Sequence, residues 1–160
     1  MFEEEPCRGA SKNGTKMRED LEIAKRKLKE NDLTLAIVKN SKVLFESKSH
    51  GVSGFLKALD KLKEKIMGAS IADKVVGKAI ALLCVYAQVK AVYALTMSMK
   101  AERFLKNYGI HLEWDTLVEN ILDASGKDIC PFEKAATEIN NPEEAYAKFK
   151  ALLKSLKQFE

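Results

Sequence analysis

Cysteine, histidine, proline and long apolar runs are all in short supply in this chain, and each shortage excludes something. The three cysteines, Cys7, Cys84 and Cys130, are odd in number and far apart. They form no disulfide framework and no C-x-x-C pair, which points to a reducing cytoplasm. The two histidines, His50 and His111, are not spaced as metal ligands, and no P-C-x-x-C occurs, so no zinc site or other cofactor is expected. A glycine-rich phosphate loop is missing as well. The start has no charged-then-apolar leader, and no run is long enough to span a bilayer. A soluble protein without membrane partners is the expectation. With only 3 prolines and 8 glycines in 160 residues, collagen-like and low-complexity classes are excluded.

What is there is a globular balance: 46% apolar residues, 31% charged, and a net charge of +4. The charge is mild because Lys and Glu alternate along most helical stretches. Such alternation describes solvated helix faces and argues against a nucleic-acid footprint. Abundant Lys and Glu beside two glutamines, Gln88 and Gln158, hint at a heat-adapted source. Residues 1–16 have no apolar period and are expected to be a disordered tail, leaving 17–160 as one domain with a real core.

Within that domain, Leu21, Ile23, Ala24 and Leu28 mark an amphipathic helix. "DLTLAIVKNSKVLFES" reads as a hairpin turning at Asn40-Ser41, with Leu33, Leu35 and Ile37 on one face and Ala36 and Val38 on the other. Phe55, Leu59, Leu62 and Ile66 fall at helical spacing, and Gly68 ends that helix. "GASIADKVVGKAIALLCVYA" reads as a central helix, apolar nearly all round from Val75 onward. "KAVYALTMSM" is apolar on both faces, as a strand covered on both sides is. A short helix closed by Gly109, a strand "IHLEWD", and two helices opened by Pro131 and Pro142 complete the chain. Together these predict an α/β layered domain with a mixed sheet flanked by helices.

The candidate chemistry gathers at helix starts. In the central helix Ser70 is a good N-cap and Asp73, three residues on, can answer it. Lys74 and Lys78, four apart, fall on one side of the same helix. Either their stems snorkel over apolar surface, or they border a pocket for an anion at the helix terminus. Gly77 is costly inside a helix and suggests close approach by a backbone or a ligand. Ser98 caps the next helix, and with Lys100 it belongs near any ligand beyond the carboxyl ends of the strands. Cys130 opens a third helix, where a thiol's pKa tends to fall, although Glu133 opposes that; a reactive thiol and a structural one are both open. Trp114 is read as a rim aromatic or as one in the core or at a domain edge.

The order "LTLAIVKNSKVLFES", "GASIADKVVGKAIALL", "VKAVYALTMS", "YGIHLEWDTLV", "CPFEKA" closely resembles an uncharacterised family of bacterial and archaeal proteins, a domain of unknown function with a cytidine-deaminase-like fold. The resemblance runs from about Leu21 to Ala147 and implies that fold, with no established reaction. In cytidine deaminases, the second and third helices open with zinc ligands and a proton-shuttling glutamate. The comparable starts here are read at Ser70-Ile71-Ala72-Asp73-Lys74 and at Ser98-Met99-Lys100-Ala101, without such ligands. Zinc-dependent deamination is therefore not expected.

Two functional readings follow. One is a binding module that keeps the cleft for a nucleotide-like or other small anionic ligand, held by Ser70, Asp73, Lys74, Lys78, Ser98 and Lys100. The other is a metal-independent enzyme using Cys130 as nucleophile with Asp73 or Glu133 as base. The resemblance also suggests a homo-oligomer, with Phe55 and the terminal helix as its surface.

Overall fold

The computed structural model describes residues 11–49, 51–122 and 125–157. In chain order these form α1 (Ser11–Glu30), β1 (Leu35–Lys39), β2 (Lys42–Ser47), α2 (Gly51–Leu62), a 3₁₀ turn (Lys63–Ile66) and β3 (Ser70–Val76). Then come α3 (Lys78–Ala87), β4 (Ala91–Ser98), α4 (Met99–Asn107), β5 (His111–Val118), α5 (Pro131–Ala136) and α6 (Pro142–Lys157). The sheet has five strands in the order β2-β1-β3-β4-β5. β1 runs antiparallel to β2 and β3, while β3, β4 and β5 are parallel. This is the expected α/β layering around a mixed sheet.

The hairpin forms as read. Asn40 and Ser41 both adopt positive φ, 54° and 66°, as a tight primed turn needs. Their amides donate to the two carboxylate oxygens of buried Asp20 on α1, at 2.9 and 2.8 Å. That brace ties the hairpin to the helix across the sheet.

Strand alternation sends Leu35 and Ile37 into a large core under α2, α3, α4 and α6, and Ala36 and Val38 into a smaller one under α1. Leu33 joins the smaller core, not the Leu35–Ile37 face as expected. It precedes the strand, in the turn from α1 where Asp32 has positive φ, so strand alternation does not govern it. Phe55 is fully buried in the large core, which removes it as an oligomer surface. α1 begins at Ser11, so residues 11–16 of the expected tail are helical. Residues 1–10, Cys7 among them, lie outside the described residues, as does His50.

The main correction concerns the central helix. Ser70–Val76 is strand β3, and the helix starts only at Lys78. The apolar run is continuous because β3 is covered on both faces and α3 is buried. β-Branched Ile71, Val75 and Val76 favour the strand up to Gly77.

Candidate functional site

β3 and β4 are parallel neighbours in register, with Val76 beside Met97. Each leads directly into a helix, so Gly77 and Ser98, the N-caps of α3 and α4, emerge side by side at the carboxyl edge of the sheet. Ser98 caps as expected: its hydroxyl, buried, accepts from the Ala101 amide at 3.1 Å. Gly77 has no side chain to offer, and the cap of α3 comes from elsewhere in the chain.

It comes from Glu133 on α5. One carboxylate oxygen accepts from the Lys78 amide at 2.9 Å and the other from the Ala79 amide at 2.8 Å. A carboxylate bridging two free amides at the positive end of a helix is the arrangement a bound anion takes. Gly77 makes room for it, since a Cβ there would fall 2.4 Å from the Glu133 carboxyl carbon. Burial pushes the Glu133 carboxyl above the ordinary range, against the pull of those two amides and of Lys100 and Lys78. Burial also lowers the Lys78 ammonium, helped by the like charge of Lys100 and opposed by Glu133. Lys78 Nζ donates to Asn140 Oδ1 at 2.9 Å and to the Thr137 carbonyl at 3.4 Å. It thereby tethers the segment that carries Glu133.

Asp73 has a different place from the one expected. It lies mid-strand, between Leu35 on β1 and Ala94 on β4, on the same face as Ile71, and is 2% exposed. It caps no helix. Its Oδ1 accepts from the Val75 amide at 3.2 Å, and its Oδ2 has no partner among the described residues. Burial pushes its carboxyl up to about 8, against the Val75 and Lys74 amides, so the group is largely protonated at neutral pH. Core-facing positions on β3 run Ile71, Asp73, Val76, the last step being three residues. The Val75 amide turned back to Asp73 accompanies that slip, which leaves Val75 exposed and delivers Val76 to the core just before α3.

The other expected site residues separate. Ser70 starts β3, six residues from Val76 and so about 20 Å from the helix starts. Its hydroxyl donates to the Met17 carbonyl of α1 at 2.8 Å. Lys74 is on the strand and pairs with exposed Asp32 at 2.8 Å, so it does not share a helix side with Lys78. Cys130 is half-buried at the N-cap of α5, and its thiol caps nothing there. With both Glu133 oxygens committed to α3, that carboxylate is not placed as a base for Cys130. Lys78, Ser98, Lys100 and Glu133 are therefore the members of the expected set found at the paired helix starts.

The chain contains one H-x-E, His111-Leu112-Glu113, which lies on edge strand β5 and not at a helix start. His111 Nε2 and Glu113 Oε2 are 2.9 Å apart, and Glu113 also pairs with Lys25 of α1 at 2.9 Å. Among the described residues no group of three or more His, Cys, Asp or Glu could hold a metal ion. The α3 and α4 starts, Gly77–Ala79 and Ser98–Ala101, carry no thiol, imidazole or carboxylate side chain. The donor set does not fit a zinc centre.

Sequence reasoning missed Asn140 and the amides of Lys78 and Ala79. A helix start at Lys78 is readable from Gly77 following two valines, but the partner 54 to 55 positions away is not.

The model of a family described as a domain of unknown function, DUF1893, matches residues 23–153. The chain belongs to the DUF1893 family. A solved DUF1893 family protein from Thermotoga maritima, TM1506, is 28% identical and superposes with a TM-score of 0.76, over 84% of this chain and 90% of that one. More distant are a dCMP deaminase from cyanophage S-TIM5 in apo form (16% identity, TM-score 0.43, 61% of this chain and 95% of that one) and RibD from Acinetobacter baumannii (24% identity, TM-score 0.43, 80% and 37%). No curated protein matches the chain. Among the described residues no helix is long and apolar enough to cross a membrane.

Proposed function

We propose that this DUF1893 protein is a binding module that takes a small anionic ligand, nucleotide-like or otherwise, at the adjoining starts of α3 and α4. Lys78, Lys100 and the α3 amides supply the attraction, and Ser98 supports the neighbouring helix start. The observation that carries the reading is the Glu133 carboxylate, held by two α3 amides with two lysines beside it. The site is chemically competent for an anion, and the chain's own side chain already fills that role. A ligand enters by replacing Glu133, whose burial weakens its hold as an anion.

The test is thermal denaturation with nucleoside monophosphates, sugar phosphates and succinate, at constant ionic strength. Glu133→Ala loses two charge-assisted hydrogen bonds, each worth about 1.5–3 kcal/mol at most, and its Tm falls. An added anion then restores part of that loss, by about 2–4 °C for each kcal/mol of binding, and raises the wild-type Tm less. If no anion stabilises either protein, the reading is wrong.

A further inference from the structure

Away from the helix starts, α2 and α6 leave a surface groove of about 390 Å³ between them. Its apolar lining is buried Leu56, half-buried Leu153 and exposed Ala151, with Lys57, Lys154 and Lys157 around them. Lys150 and Asp60 also line it, but they neutralise each other at 3.2 Å, and Asp60 further accepts from the Tyr146 hydroxyl at 3.0 Å. Among the described residues no carboxylate lies within ion-pair distance of Lys57, Lys154 or Lys157. Together they give the margin of the trench a positive charge.

We infer that this groove docks an acidic amphipathic helix of a partner protein, its apolar side chains against Ala151 and Leu153 and its carboxylates against the lysine rim. A trench between two helices accepts a third through apolar anchors at helical spacing. Complementary charge around the anchors sets orientation and association rate. Single-stranded nucleic acid binds instead through aromatic platforms that stack bases, and among the described residues no aromatic side chain lines this groove. The inference is independent of the anion site, which lies on other elements.

The experiment is fluorescence anisotropy of the full chain with a labelled helical peptide of about 16 residues, leucine at i, i+3, i+4 and i+7 and glutamate elsewhere. Poly-glutamate and a single-stranded DNA oligonucleotide of equal charge are the comparison probes. Saturable binding of the peptide is expected, at least about tenfold tighter than either comparison probe and weakening as salt rises. Ala151→Glu, at an exposed position of α6, and the double variant Lys154→Glu/Lys157→Glu each lose about tenfold or more while keeping the wild-type melting curve. The inference is overturned if the peptide fails to saturate, if poly-glutamate or DNA binds as tightly, or if both folded variants bind like wild type.

Discussion

A carboxyl group set between Leu35 and Ala94, with one oxygen unpartnered among the described residues, is more costly to the fold as an anion than as an acid. The unfolded Asp73 side chain loses its proton near the ordinary value of 3.8, whereas the folded one keeps it to about 8. Between those values the native state holds a proton the unfolded chain has released. Stability therefore falls as pH rises through that window, by about 1.4 kcal/mol per pH unit at most, and levels off above it. Urea midpoints measured at pH 5 and pH 8 should show the wild type weaker at pH 8. Asp73→Asn preserves the oxygen that accepts from the Val75 amide and cannot ionise. Its midpoint should change far less between the two values and exceed the wild type's at pH 8. Equal slopes for the two proteins would show that Asp73 is not the group responsible.

At the scale of elements, α3 is completed by a residue of α5. Gly77 has an extended backbone, φ −102°, which any residue adopts, so its requirement is space and not conformation. Gly77→Ala drives a methyl into the Glu133 carboxyl and dislodges the cap, giving a loss of roughly 1–3 kcal/mol. Adding it to Glu133→Ala should have little further effect, because the methyl then meets no carboxylate. A double-mutant cycle by urea denaturation reads this as strong non-additivity; additive losses would place the cost of the added methyl elsewhere. The same junction shows where sequence reading succeeds. Hairpin, edge strand and the helices opened by Pro131 and Pro142 are legible because turn residues and periodicity are local. The β3–α3 boundary is blurred because both elements are buried, so strand and helix present one apolar run. Ser70, Asp73 and Lys74 accordingly fall to the wrong element when read from sequence. Ser98 and Lys100 do fall at a helix start, because a capping serine after a strand is a local signal, whereas Lys78 opens a helix that the sequence reading began at Ser70. The Glu133 contact is long-range and leaves no local pattern.

Across the whole molecule the sheet is covered unequally. α2, α3, α4 and α6 enclose the large core on one face, while among the described residues α1 alone covers the other, through Leu21, Ala24 and Leu28. Toward β5 that cover becomes polar, with Lys25–Glu113 at 2.9 Å and Lys29–Asp115 at 3.7 Å, pairs of modest worth where half exposed. Native-state hydrogen exchange should therefore release the α1 amides well before those of α3, whose protection should approach the global unfolding free energy. Simultaneous exchange of both helices would show that the two faces open as one unit. β5 is the parallel edge of the same sheet, and it carries Trp114, the sole tryptophan, at 38% exposure. The protein thus has an intrinsic optical probe on its rim and not in its centre. A shift in emission colour on mixing with another molecule would signal an event at the β5 edge, and the interior would be silent to it.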